Sequence, residues 1–325
     1  MPFALPRALA ALIATATLFA AAPAFAQYTS SAGQNAPSVR AMEDVRDQEG
    51  RVVGHRTVER AAEKDHYGNA QGNQHDLAID GAFAGQTIAV LHFYTQEDFD
   101  FHLPKAALKE KGFSVYRWVN EAPSPKELAA GLEKSNQLWL ISDERQHLTP
   151  EHIAVIKRFF DAGHGVYIWG DNEPFYSDAN AVAEALLGSS MSGNVPGGVT
   201  VGLQPVDPAA QKVGVARRHL LTTGLEYLFE GVTIATISPG PGVQPLVYGS
   251  AGNLVTAYYD QGGKRAIVDG GFTRLYVSWD TAGTGRYVKN AAAWLANVER
   301  FGATVAKVTT TQGTRPPQPQ QQPQR

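Results

Sequence analysis

Three polar clusters stand directly behind dense apolar runs, and their residue types set the chemistry on offer. Ser142-Asp143-Glu144 follows residues 137–141, Gly170-Asp171-Asn172-Glu173 follows 165–169, and Asp269-Gly270-Gly271 with Arg274 follows 265–268. Asp143, Asp171 and Asp269 offer the hard oxygen ligands that Ca²⁺ or Mg²⁺ prefers. Arg274 offers a planar fork of donors to an anionic group. His219 has the chemistry of a general base or metal ligand, and His92 closes another apolar run.

Each candidate also has a plainer use. Asp171 and Asp269 are suited to accepting backbone N–H bonds at turns and helix starts. Arg274 is suited to pairing with Asp269 or Asp280. His219 beside Arg217 and Arg218, and His92 on a strand, are suited to packing. Gly270-Gly271 let the chain turn sharply off a strand.

The elements that must position these residues alternate in kind. Residues 87–93, 113–118, 137–141 and 165–169 are short, dense apolar runs, the pattern of strands buried on both faces of a parallel sheet. Helices separate them. Ser124-Pro125-Lys126-Glu127 is a capping box with proline at the first helical position. Thr149-Pro150 opens the next helix, with Ile153, Ile156 and Phe160 as its apolar stripe and Gly163 as its stop. Pro104 opens a helix that ends at Gly112, and a further helix over 177–187 is closed by Gly188. Residues 189–262 are rich in Gly and Pro and read as edge strands and a small β excursion. The chain rejoins the sheet at 265–269 and ends in a helix over 284–298. This order predicts an α/β fold, a doubly wound and mostly parallel sheet. In such sheets ligands bind beyond the carboxyl ends of the strands, where the polar clusters fall.

Composition narrows the function. Arg7 is the only charge before position 40, and an apolar run and Ala24-Phe25-Ala26 follow it. That is a secretory signal over residues 1–26, which places the mature chain in the periplasm or outside the cell. The run of about 15 residues is shorter than the ~20 of a transmembrane helix. Loss of Arg7 takes the formal charge from −3 to −4, too mild a field to attract nucleic acid. No cysteine is present, which removes disulfides, thiolate metal sites and any thiol nucleophile. Residues 27–80 are polar and read as a disordered or loosely draped N-terminal arm. The domain spans 81–301, and 302–325 form a disordered Thr-rich, then Pro/Gln-rich tail.

Trp169-Gly170-Asp171-Asn172 leading into a helix, the segment His219-Leu220-Leu221-Thr222-Thr223-Gly224-Leu225, and Val268-Asp269-Gly270-Gly271-Phe272-Thr273-Arg274-Leu275-Tyr276 followed by Trp279-Asp280 resemble the class I glutamine amidotransferase-like superfamily. The likeness covers roughly residues 85–300. It is nearer to the non-amidotransferase branches, the ThuA-like proteins and the domains associated with gliding and ABC transport. It implies a flavodoxin-like sheet with a functional turn after a central strand. Members with amidotransferase activity carry Cys on that turn; here the matching residue is Asp171. A carboxylate cannot attack an amide as a thiolate does, so glutamine hydrolysis by that route is excluded. No Gly-x-Ser-x-Gly elbow substitutes for it. The expectation is a non-catalytic binding domain, a pseudoenzyme. It would hold a small ligand or an envelope protein at a rim of Asp171, Asn172, Glu173, His219, Asp269 and Arg274. No cofactor is expected, apart from a divalent cation on Asp143, Asp171 and Asp269. Two rivals are a metal-assisted or acid–base hydrolase or isomerase acting on carbohydrate, which the ThuA-like resemblance implies, and an envelope scaffold.

Overall fold

The computed structural model describes residues 38–207, 211–279 and 282–302. The signal segment 1–26, residues 27–37 of the arm and the tail from 303 lie outside the described residues. In chain order the elements are β1 (Ser38–Arg46), β2 (Val52–Ala61), β3 (Thr87–His92), α1 (His102–Glu110), β4 (Ser114–Val119), α2 (Pro125–Leu132) and β5 (Gln137–Ile141). Next come α3 (Pro150–Asp161), β6 (Gly165–Trp169), α4 (Ser177–Leu187), β7 (Ser190–Pro196), β8 (Thr200–Gly202) and β9 (Gly214–Val215). The chain continues with β10 (Tyr227–Phe229), β11 (Thr233–Ser238), β12 (Gln244–Tyr248), β13 (Leu254–Gln261), β14 (Lys264–Asp269), α5 (Thr284–Leu295) and α6 (Val298–Phe301).

An eight-stranded sheet in the order β4-β3-β5-β6-β14-β13-β12-β9 carries the fold. The strands from β4 to β14 run parallel, and β13, β12 and β9 add an antiparallel edge. The chain steps from β3 out to β4, then returns past β3 to β5, so the winding reverses between β3 and β5. Successive strand residues face opposite layers. Tyr167 and Trp169 of β6 point to the layer of α1 and α5, with Leu108, Tyr287 and Trp294. Val166 and Ile168 point to the layer of α2, α3 and α4, with Leu128, Ile156 and Val182. The doubly wound, mostly parallel α/β sheet is therefore as expected. Two antiparallel pairs, β7 with β11 and β8 with β10, make up the β excursion.

Local signals act where the sequence carries them. Ser124 Oγ accepts from the Glu127 N–H while Glu127 accepts from the Ser124 N–H, closing the box at α2. Pro150 starts α3, and Gly188 ends α4 in the left-handed region. The last helix stops at Leu295 rather than 298, because Asn297 takes a left-handed conformation before the short α6.

The arm departs from expectation. Residues 38–61 form the β1–β2 hairpin, and the strap after it is pinned to the domain. Asp76 is fully buried and lies 2.9 Å from Lys111, 2.8 Å from Arg286 and 2.9 Å from Lys289. Asn290 accepts from the Leu77 N–H and donates to Leu221 and Thr223 carbonyls. These anchors are polar and distant in sequence, so an apolar count could not reveal them. Among the described residues no helix is long and apolar enough to cross a membrane.

Removing one member of a buried ion cluster leaves its partners charged and unmatched, a loss of about 3–5 kcal/mol. Asp76→Ala is expected to cost that much in urea unfolding. It should also open the strap to proteolysis between residues 62 and 72 before the remainder of the domain.

Candidate functional site

The bend after β6 sits inside the sheet, between β5 and β14. Gly170 N–H donates to the Asp269 carbonyl at 2.8 Å, and Ser142 N–H donates to the Trp169 carbonyl at 3.0 Å. The bend and Asp269 therefore share one end of the sheet, at the carboxyl ends of the parallel strands. Gly170 is required: a Cβ there would meet Met191 Sδ at 2.5 Å and the Tyr176 Cβ at 3.0 Å.

Asp269, at the end of β14, is fully buried and heavily bonded. Its Oδ2 accepts from Arg274 Nη1 at 2.9 Å and from Thr256 Oγ1 at 3.1 Å, with the Tyr167 hydroxyl at 3.2 Å. Its Oδ1 accepts from the Gly271 N–H at 3.1 Å. Arg274 is also fully buried, and its Nη2 donates to the Glu230 carbonyl at 2.8 Å. Tyr167 and Tyr287 hydroxyls meet at 2.8 Å below it. The plainer reading of Arg274 and Asp269, a structural ion pair, is the geometry found.

Asp171 is the second acid of this network. It is 1% exposed, and its Oδ1 has no hydrogen-bond partner. Burial above all lifts its carboxyl well above the usual carboxylate range; the negative Asp269 adds to this, and Arg274 with the Asn172 and Thr273 N–H groups opposes it. Burial raises Asp269 as well, but Arg274 and its hydrogen-bond donors hold it down. One guanidinium faces two buried carboxyls, so only one can be matched as an anion. Arg274 is in direct contact with Asp269, while burial shifts the Asp171 carboxyl toward its neutral form.

Aromatic rings cover this end. Tyr94 lies 4.7 Å from Phe272 and 5.5 Å from Phe175, centroid to centroid. Tyr276 stacks at 4.7 Å on Phe99, and its hydroxyl is 3.5 Å from that of Tyr94 and 3.4 Å from Glu97 Oε2. Burial above all raises the pKa of both tyrosine hydroxyls. Tyr276 belongs to the 268–276 segment that carries the resemblance, and Tyr94 follows the first apolar run. Phe99, Phe175 and Glu97 were missed, since loops carry no periodicity to flag them.

The remaining expected residues do not join this cluster. Asn172 and exposed Glu173 lie on the outer bend, with Asn172 Nδ2 donating to Asn194 Oδ1 at 3.0 Å. His219 belongs to the other end of the sheet. Its ring packs 4.1 Å from Tyr258 and 5.7 Å from Trp294, whose carbonyl accepts from Arg265 at the start of β14. Its Nδ1 accepts from the Leu221 N–H, and burial, then Arg265, push its pKa down to about 4. It is a neutral packing and capping histidine, and the rim assignment is corrected. His92 is likewise buried, with Arg117 Nη1 at 2.9 Å from its Nδ1 and a pKa lowered to about 4, first by burial. Asp143 is engaged by His147 Nε2 at 3.0 Å and by the Arg145 N–H at 2.7 Å. Among the described residues no three of His, Asp and Glu gather as metal ligands, so Asp143, Asp171 and Asp269 do not form one cation site.

No protein-family model and no curated protein matches the chain. Among solved structures it is similar to a GMP synthase subunit-like protein from Thermoplasma acidophilum, at 12% identity over 67% of this chain and 98% of that one, with a TM-score of 0.45. A ThuA-like protein from Parabacteroides merdae is similar at 14% identity over 66% and 90%, with a TM-score of 0.43. An exo-β-1,4-mannosidase from an Opitutaceae bacterium is similar at 12% identity over 66% of this chain and 36% of its own, with a TM-score of 0.38.

A raised folded-state pKa means that the stability tied to the neutral Asp171 acid is complete below its unfolded value near 3.8 and is lost as pH rises toward the folded value. Asp171→Asn is expected to melt several degrees higher than the parent at pH 7.5, the two curves converging below about pH 4. Arg274→Met is expected to cost about 3–5 kcal/mol by leaving Asp269 unmatched, and Asp269→Asn in the same chain should recover part of that loss.

Proposed function

We propose that this chain is an exported, non-catalytic binding domain on an amidotransferase-like fold. It holds a small ligand or an envelope partner at the carboxyl-end rim of its sheet. The observation that carries this reading is the division of the rim into two layers. The acids and the cation are sealed inside, and the outer layer presents the half-buried rings of Phe175 and Tyr276 with the Glu97 carboxylate beside them. A thiolate or serine nucleophile has no counterpart at Asp171, which is buried and out of reach. Ring faces beside hydrogen-bonding groups suit a ligand with flat apolar faces and peripheral hydroxyls, which is the surface chemistry of a sugar.

The hydrolase reading retains one observation. Asp143 and His147 form a 3.0 Å pair after β5, and the His147 ring lies 4.3 Å from Phe93. An acid-oriented imidazole is a common proton-transfer unit.

Titration of the mature domain with oligosaccharides, read by intrinsic fluorescence and by product analysis, separates the readings. Saturable binding without turnover is expected, weakened about tenfold or more by Tyr276→Ala. Turnover abolished by His147→Asn would establish the enzyme instead, and no binding to any sugar would leave a protein partner or a scaffold.

A further inference from the structure

The β1–β2 hairpin forms a sheet of its own, its strands pairing only with each other among the described residues. Residues 40–61 include no buried position. A lone two-stranded hairpin is at best marginally stable in water, since it has no further strand or layer on which to bury a face. Cross-strand charge pairs hold this one together: Glu43 with Arg56 at 2.9 Å and with Arg60, Asp44 with His55 at 3.1 Å, and Arg40 with Glu59 at 3.7 Å. Pairs so exposed contribute little each. Met42, the middle residue of β1, is 72% exposed. Strands of nine and ten residues with unpaired outer edges are templates for a further strand.

The two edges are not equivalent. Opposite Val45 and Arg46 the register skips Val53, so β2 carries a bulge, with Gly54 directly after it. A bulge and a glycine bend and weaken a strand edge, which blunts the β2 side. Residues 38–46 hold neither Gly nor Pro, and the extra residue lies on β2, so the β1 edge runs without interruption.

The order of charges along β1 selects its occupant. When two identical strands pair antiparallel about a two-fold axis, one residue faces itself and the others pair symmetrically around it. An axis at Met42 pairs all nine residues of β1 with those of the copy. It sets Arg40 against the copy's Asp44 twice over, on the same face as Met42, and sets Glu43 against the copy's Ala41. An axis one residue on sets Glu43 against itself and Arg40 against the copy's Arg46, like charges that oppose the pairing. An axis one residue back sets Arg40 against the copy's Met42 and leaves Val45 and Arg46 outside the overlap. One register alone joins full overlap to charge complementarity.

We propose that two copies of this chain associate through β1, their hairpins joining edge to edge into a four-stranded antiparallel sheet with its two-fold axis at Met42. The hairpin shares no residue with the rim, and this association does not depend on what the rim holds.

The tests use the mature protein. Sedimentation across a concentration series is expected to show a reversible monomer–dimer equilibrium, weak because a single strand pair is a small interface. Arg40→Asp alone sets like charges against the copy's Asp44, and Asp44→Arg alone sets them against the copy's Arg40; each should weaken self-association about tenfold or more. In a mixture of the two variants both opposite-charge pairs return, so the mixture should dimerise about as well as the parent. Because the chain has no cysteine, an introduced one reports on a single position, and it does so with every charge of the hairpin in place. Met42→Cys should give a disulfide-linked dimer at least about tenfold faster than Val45→Cys, whose two copies lie about 20 Å apart in this register. Thr57→Cys reports pairing through β2 instead. A parent that is monomeric at every concentration, a mixture no better than its components, or Thr57→Cys linking as fast as Met42→Cys would overturn the proposal.

Discussion

One buried ion pair, Arg274 with Asp269, organises the carboxyl end of the sheet. Arg274 reaches Asp269, the Thr256 hydroxyl and the Glu230 carbonyl, and so ties β14 to β13 and to the segment after β10. Asp269 in turn accepts the Gly271 N–H and stands by the Tyr167 hydroxyl, which joins β6 to the same knot. A charge pair this deep contributes little net stability, since its desolvation offsets most of its attraction. Its geometric demand is severe, however. The bonds of Arg274 and Asp269 hold the Gly270-Gly271 turn and the bend after β6 in one arrangement. Asp171 is the group left over, and burial above all raises its carboxyl.

That arrangement separates a sealed inner layer from an exposed outer one at this end of the sheet. A reactive turn needs a group whose pKa is tuned toward the working pH and whose reactive atom is reachable. Here the acid at the turn is buried, and burial shifts it toward the uncharged form. The outer layer carries the half-buried rings of Phe175 and Tyr276.

The strap gives the opposite face its own logic. Asp76 draws Lys111, Arg286 and Lys289 together, and so fastens a polar N-terminal segment across α1 and α5. The strap then becomes the roof of a cleft that the two helices alone would leave open. Its hydrogen bonds engage Arg286 and Lys289, the two cations that line the cleft.

The sequence by itself determined the layers and their order. Dense apolar runs such as 137–141 and 165–169, and signals such as Ser124-Pro125-Lys126-Glu127, act over a few residues and can be read locally. It also placed Asp171 and Asp269 at one end of the sheet, because every parallel strand in a doubly wound fold ends on the same side. Only the tertiary structure decided which polar residues meet. His219 was drawn to the far end by Tyr258 and Trp294, and Asp143 was taken by His147. The strap was ordered by ion pairs spanning some two hundred residues, Asp76 with Arg286 being one. Whether an acid is charged, capped or buried depends on neighbours brought close by folding, and the strength of those electrostatic contacts is set by distance and solvent exclusion, neither of which is written in local order along the chain.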